Sequence, residues 1–122
     1  IKQKDGTIIN VTSIAARQGS SAGGSIYAGA KGFVSSFTKT IAKELVGHGI
    51  RVNAVSPGTI YTAFHSRYSS AEKLAATAKT IPMQRLGTAE DCAGTFLYLA
   101  SGKASGYVTG QVIEVNGGQL MP

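Results

Sequence analysis

A tyrosine and a lysine stand four residues apart near the start of a predicted helix, in the segment Tyr27-Ala28-Gly29-Ala30-Lys31. Side chains at this spacing lie on the same face of an α-helix, close enough to interact. Tyrosine has an ordinary pKa of about 10, and a nearby positive charge lowers it by favouring the phenolate. The pair therefore predicts a general acid/base for proton transfer near neutral pH, together with the cation that tunes it.

A hydroxyl group is expected close to this pair. Ser13 follows a short β-branched run and opens a glycine- and serine-rich segment, 13–25, that is predicted to be a loop. A loop that leaves a buried strand begins at its carboxyl end, so the Ser13 hydroxyl could reach the tyrosine and hydrogen-bond a carbonyl oxygen. Alone, Tyr-x-x-x-Lys is explained more simply by an exposed tyrosine and a solvated lysine, so the surrounding elements must decide.

The pattern along the chain predicts an α/β fold in the order strand, helix, strand, flap, helix, strand. Strands are expected over 7–12, 50–55 and 111–115, the first with both faces buried. An amphipathic helix is expected over 26–46, and a second helix from Thr88 to Gly102. This order predicts a doubly wound parallel sheet.

Two further expectations concern side chains of the helices and the flap. In the flap, 59–87, Ser69 and Glu72 are predicted to form a capping box. Four apolar side chains of the helices are expected to be core or subunit contacts: Phe33, Phe37, Phe96 and Leu97.

Composition limits the class of protein. The 122 residues are 43% hydrophobic and 15% charged, which is typical of a packed core of domain size rather than a disordered tail. No apolar run approaches the roughly 20 residues of a membrane span. The single cysteine, Cys92, and the absence of Cys/His clusters predict no metal site and a reducing, cytoplasmic setting.

The charge balance could indicate nucleic acid, since 12 Lys and Arg against 6 Asp and Glu give a formal charge of +6. The basic residues are scattered, however, with no run and no interleaved aromatic residues. We therefore expect no nucleic-acid partner and no membrane partner.

Five motifs, taken together and in this order, resemble the carboxyl-terminal half of the short-chain dehydrogenase/reductase family, which has a Rossmann-like fold. They are Asn10-Val11-Thr12-Ser13, the Tyr27/Lys31 pair, Asn53-Ala54-Val55-Ser56-Pro57-Gly58, Val108-Thr109-Gly110-Gln111 and Asn116-Gly117-Gly118. The resemblance covers nearly the whole chain, from Gly6 to about Met121. Within this family, the chain is most similar in motif and length to the 3-oxoacyl-carrier-protein reductase type, although sugar, polyol and other secondary-alcohol dehydrogenases share these motifs.

The resemblance implies hydride transfer between NAD or NADP and a small-molecule carbonyl or alcohol. It assigns Ser13 to orienting the substrate carbonyl and Tyr27 to acid/base catalysis. Thr12, which stands where the family often has serine, is the fallback for Ser13. Lys31 would lower the tyrosine pKa and bind the nicotinamide ribose together with it. Pro57 and Gly58 would form the wall beside the nicotinamide.

Further positions follow from the resemblance and from the flap. Ile60 and Thr62 would meet the carboxamide of the nicotinamide. Four flap residues are candidates for the substrate pocket: Tyr61, Phe64, His65 and Tyr68. A homo-oligomer, dimer or tetramer, is also expected.

The Gly-rich turn that holds the pyrophosphate in such folds does not occur in these 122 residues, and neither does the acidic or basic residue that selects NAD or NADP. We therefore expect residues 1–122 to be the carboxyl-terminal half of a single NAD(P)-binding domain, inactive on its own. The alternative is a non-catalytic interaction module or scaffold that keeps the fold without the cofactor-binding half.

Overall fold

Strands and helices alternate along the chain. The structure is a computed structural model and describes residues 1–63, 65, 67 and 69–122. The strands are β1 (Gly6–Val11), β2 (Ile50–Pro57) and β3 (Val112–Val115). The helices are α1 (Ala15–Gln18), α2 (Ser25–Leu45), α3 (Ala63–Tyr68), α4 (Ala71–Thr80), α5 (Ala89–Ala100) and α6 (Gly102–Ser105), with one 3₁₀ turn, Val46–His48, after α2.

The three strands form one parallel sheet in the order β1-β2-β3. Val11 of β1 pairs with Val55 of β2, which in turn pairs with Ile113 of β3. Since parallel strands end at the same edge, the loops that follow them begin side by side. Ser13 and Gly58, which come after β1 and β2, therefore lie at one edge of the sheet.

Helices α2 and α5 cover opposite faces of this sheet. Asn10 of β1 donates a side-chain hydrogen bond to Thr38 Oγ1 of α2, at 2.9 Å. Arg51, the register partner of Thr7, donates to the carbonyl of Leu99 in α5, at 3.0 Å. Because side chains alternate between faces along a strand, positions 7 and 10 face opposite sides. The predicted α/β fold with a doubly wound parallel sheet is confirmed.

The core is built on the central strand. Val52, Ala54 and Val55 of β2 are wholly buried, and Leu99 of α5 is too. The expectation that both faces of the first strand are buried is wrong, because β1 pairs only with β2 among the described residues and Val11 remains 47% exposed. Both faces of β2 are buried, since its consecutive residues Val52 to Ser56, which point to alternate faces, are all buried.

Three local predictions about segments also need correction. The segment 13–25 is not all loop, because one helical turn, α1, lets Ile14 and Ala15 pack inward. The flap helix α4 is capped by Ser70, whose side chain accepts a hydrogen bond from the Lys73 N–H, rather than by Ser69. Beyond α5 the chain continues as the short helix α6, since Ser101 caps a new turn.

Apolar side chains remain on the outer surface of α2 and α5. Phe33 is 66% exposed and Leu97 is 72% exposed, so neither is a core residue, and contact with a partner remains a prediction. The rings of Phe33 and Phe37 stack with their centroids 5.4 Å apart. None of the described helices is both long and apolar enough to cross a membrane.

Leu99→Ala should destabilise the protein by about 2–5 kcal/mol, because it leaves a cavity where the side chain is fully buried. Urea unfolding of the protein measures the change in the free energy of unfolding. Leu97→Ala, on the same helix but exposed, is the matched control and should change the free energy of unfolding by less than about 0.5 kcal/mol. Equal losses in both variants would contradict the described packing of α5.

Candidate active site

The predicted acid/base pair lies on the first turns of α2. The Lys31 ammonium is 5.8 Å from the centroid of the Tyr27 ring, within the range of a cation–π contact. The same nitrogen donates a hydrogen bond to the carbonyl of Val11, the last residue of β1, at 3.0 Å. The lysine is therefore held at the carboxyl edge of the sheet, beside the tyrosine, as their spacing predicts.

Tyr27 is available to a ligand. Its side chain is half exposed, and no described residue hydrogen-bonds its hydroxyl group. Lysine carries three N–H donors, and the Val11 carbonyl accepts from only one of them. The pair can therefore offer a phenol O–H and further N–H groups to a molecule bound at this edge.

A buried threonine fixes the helix that carries this pair. Thr12 Oγ1 donates to the backbone carbonyl of Lys31 at 2.8 Å and lies 2.7 Å from Ser35 Oγ. Further along the same helix, Asn10 donates a side-chain hydrogen bond to Thr38 Oγ1. The hydroxyl of Thr12 is thus directed into α2, which supports Ser13 over Thr12 as the residue that meets a substrate.

Ser13 stands directly after the strand, at the start of the loop to α2. Its Oγ accepts a hydrogen bond from the Ala15 N–H at 3.2 Å, and no described group accepts its O–H. The next residue, Ile14, donates its N–H to the Pro57 carbonyl at 3.2 Å. The Ser13 loop therefore packs against the end of β2, with a hydroxyl proton left to donate.

The segment after β2 carries the predicted nicotinamide contacts. The Gly58 N–H donates to the Val115 carbonyl at 2.9 Å, and a Cβ at Gly58 would come within 2.6 Å of Asn116 Cβ. Only glycine lets the chain pass so close to the end of β3. Thr59 is held next, because Gln119 Oε1 accepts from its N–H at 3.0 Å and from its hydroxyl at 3.2 Å.

A cleft of about 420 Å³ opens beside this segment. Its lining includes Ile60, Gly87 and the ion pair formed by Arg85 and Asp91. Ser13, Tyr27 and Lys31 are not among its lining residues, so the cleft is distinct from the position of the acid/base pair. Of the proposed cofactor contacts, Ile60 lines it and Thr62 is exposed at the start of α3.

The sequence patterns do not identify the Arg85–Asp91 ion pair as part of the site. The guanidinium beside it, and then the Thr88 N–H, hold the pKa of Asp91 well below its ordinary value. Asp91 also forms a capping box with Thr88 at the start of α5, where the sequence predicts that a helix begins. The residues that mark the start of a helix do not indicate that Arg85 pairs with Asp91, because Arg85 precedes the helix start and Asp91 follows it.

The predicted substrate-pocket residues are only partly described. Tyr61 is half exposed, and His65 Nδ1 lies 3.3 Å from Ser69 Oγ within the flap. Neither lines the cleft. Phe64 and Tyr68 lie outside the described residues, so their contribution stays a prediction.

The described residues offer neither a reactive cysteine nor a metal site. Burial raises the pKa of the Cys92 thiol, with a smaller contribution from Asp91, as expected for an inert core cysteine. Among the described residues, no three His, Cys, Asp or Glu side chains gather in a way that could hold a metal ion.

A family model described as enoyl-(acyl carrier protein) reductase matches residues 1–119. The chain belongs to the short-chain dehydrogenase/reductase family. It is 44% identical over 121 residues to the 3-oxoacyl-[acyl-carrier-protein] reductase of Synechocystis, covering 99% of this chain and 47% of that protein. The chain thus spans about half the length of the curated relatives it matches.

Two solved structures share the fold over nearly all of this chain. The 3-oxoacyl-[acyl-carrier protein] reductase from Brucella melitensis superposes with a TM-score of 0.92 at 37% identity, over 99% of this chain and 44% of that one. A structure from Beutenbergia cavernae with NADP bound at low occupancy has a TM-score of 0.89 at 35% identity, over 97% and 47% of the two chains.

Thr12→Val should lower the free energy of unfolding by about 1–2 kcal/mol, because valine keeps the shape but cannot bond the Lys31 carbonyl. Denaturant unfolding of the protein measures this free energy. The control is Thr40→Val on the same helix, where the exposed hydroxyl bonds only the Ser36 carbonyl and the cost should stay below about 0.5 kcal/mol. If Thr12→Val proves as mild as its control, the threonine does not fix α2.

Proposed function

We propose that a protein carrying this chain is an NAD(P)-dependent oxidoreductase that interconverts a carbonyl group and a secondary alcohol. The observation that carries the proposal is the Lys31 ammonium, held by the Val11 carbonyl at the sheet edge and 5.8 Å from the centre of the Tyr27 ring. Membership of the short-chain dehydrogenase/reductase family supports the reaction class.

Tyr27 is the proposed general acid in the direction of reduction. Its exposed O–H would give a proton to the carbonyl oxygen while a hydride reaches the carbonyl carbon, so that one C–H and one O–H bond form. The positive charge of Lys31 stabilises the negative charge that then develops on the phenol oxygen. Alcohol oxidation runs the same transfers in reverse.

Ser13 is the proposed carbonyl-orienting residue. Its oxygen already accepts from the Ala15 N–H, which fixes its position and leaves the O–H to donate. Hydrogen bonds from Ser13 and Tyr27 to one carbonyl oxygen would polarise the carbonyl and hold its carbon toward the hydride donor.

The described residues fit the nicotinamide half of NAD or NADP. The unused N–H groups of Lys31 suit ribose hydroxyls, and Tyr27 offers its O–H beside them. Pro57, Gly58, Ile60 and Thr62 would surround the ring and its carboxamide. The bound cofactor supplies or accepts the hydride, and residues outside these 122 would hold its phosphates.

The proposed substrates are small carbonyl compounds, with 3-oxoacyl thioesters tested first because a reductase of that class is 44% identical to this chain. Tyr61, Phe64, His65 and Tyr68 remain the candidates for substrate selection. We also propose a homo-oligomer and a cytoplasmic location. The exposed, stacked Phe33 and Phe37 on α2 support the first, and the free Cys92 supports the second.

Tyr27→Phe in the full-length polypeptide should lower kcat by about 10²- to 10⁴-fold, because the ring stays while the transferable proton is lost. Initial rates of NADPH and NADH oxidation with a 3-oxoacyl thioester measure it. Tyr107→Phe, at a fully exposed tyrosine outside the site, is the matched control and should leave kcat unchanged.

Thermal unfolding of both variants tests whether a loss of turnover comes from a loss of folded protein. Unchanged turnover in Tyr27→Phe would contradict the assignment of the acid. A folded wild-type protein that binds neither dinucleotide would favour the alternative, a non-catalytic module that keeps the fold.

A further inference from the structure

A bidentate ion pair fixes the loop between the flap and α5. Arg85 donates from Nη1 to Asp91 Oδ2 at 2.6 Å and from Nη2 to Asp91 Oδ1 at 2.8 Å. Asp91 Oδ2 also accepts from the Thr88 N–H at 2.8 Å. Exposed ion pairs contribute little on average, but a bidentate arginine–carboxylate pair with further bonds is the geometry in which they do contribute.

The same loop bonds the segment that follows β2. The Gly87 N–H donates to the Thr59 carbonyl at 3.0 Å, and the Gly87 carbonyl accepts from the Tyr61 N–H at 2.8 Å. These bonds make Ile60 and Gly87 an isolated parallel bridge. They attach the segment 59–61 to the residue two positions after Arg85.

Side-chain packing reinforces this attachment. A Cβ on Gly87 would collide with the Ile60 side chain, and Asp91 Oδ2 lies 3.8 Å from the same point. Ile60 therefore rests directly on the Gly87 backbone, with the ion pair just behind it. A short path of contacts leads from the first turn of α5 through Gly87 to Ile60.

The loop needs an anchor of this kind. Gln84, directly before Arg85, has a φ of 57°, in the left-handed region that costs free energy for any residue other than glycine. Arg85 Nη1 also donates to the Leu86 carbonyl at 3.1 Å, so its guanidinium bonds both the loop backbone and α5. The ion pair thus holds the loop in place after an unfavourable backbone turn.

We infer that the Arg85–Asp91 ion pair positions the segment 59–62 against the nicotinamide end of the cofactor, so that both are positioning residues rather than catalytic ones. The inference rests on the proposed function, because Ile60 and Thr62 meet the carboxamide only if the protein binds NAD or NADP. Loosening the pair then weakens the contacts to the nicotinamide and leaves the contacts to the adenosine half unchanged.

Two ligands separate this role from a general loss of structure. NADH carries the nicotinamide, whereas ADP-ribose lacks it; NADPH and 2′-phospho-ADP-ribose serve if the protein prefers NADP. Asp91→Asn keeps the shape and an acceptor for the Thr88 N–H but removes the charge. Calorimetry on the full-length variant should show the dinucleotide Kd rising about three- to tenfold, with the Kd for ADP-ribose unchanged.

Two further variants sharpen the comparison. Arg85→Lys keeps the charge but loses the two-pronged geometry, and it should weaken the dinucleotide by about two- to threefold. Glu90→Gln, the matched control, removes the same charge from an exposed neighbour in the same helical turn and should change neither Kd.

Amide hydrogen exchange gives a readout that needs no cofactor. The Tyr61 and Gly87 N–H groups should exchange about tenfold faster in Asp91→Asn, since both bonds belong to the bridge that the pair supports. Equal weakening of both ligands, or no weakening of the dinucleotide, overturns the positioning role while the proposed function stands. A wild-type protein that binds neither ligand overturns the proposed function, and the positioning role falls with it.

Discussion

The contacts between β1 and α2 determine where the proposed acid/base lies. Thr12 and Asn10 are polar side chains of one strand end, and both direct their hydrogen bonds into α2 rather than into the sheet. Lys31 returns a bond from the helix to the Val11 carbonyl. These bonds fix the rotation and height of α2, so that Tyr27 emerges half exposed at the carboxyl edge instead of packing inward.

A second set of contacts fixes the segment that carries the proposed nicotinamide contacts. The segment after β2 is bonded by the Val115 carbonyl at Gly58, by Gln119 at Thr59 and by Gly87 at Tyr61. The three partners, Val115, Gln119 and Gly87, all lie outside the segment itself. Residues distant in sequence therefore hold both α2 and this segment in place. In the proposed reaction, this support would position the proton donor and the nicotinamide before the transfer.

The sequence was sufficient where local chemistry determines the structure. Spacing placed Tyr27 beside Lys31, and Thr88 with Asp91 opened α5. Longer-range or very short features were not predictable. The exposure of β1 depends on which strand lies next to it, and the single turn α1 is too short for periodicity to show.

Two other differences have local physical causes. Adjacent serines at 69 and 70 can each cap a helix, and only the backbone conformation selects Ser70. The Arg85–Asp91 pair joins residues across a helix start, after the left-handed turn at Gln84, which no residue spacing indicates. In each case the local backbone conformation decides which residues form the contact, and residue spacing does not indicate that conformation.

Hydride transfer at this site is tested most directly by following deuterium from C4 of the reduced nicotinamide into the product. The full-length polypeptide is incubated with NADH or NADPH that carries deuterium at both C4 positions, together with a 3-oxoacyl thioester, and the alcohol is analysed by mass spectrometry. One deuterium on the carbinol carbon is the predicted result. An alcohol formed without deuterium, or no alcohol from any carbonyl compound tested, would contradict it.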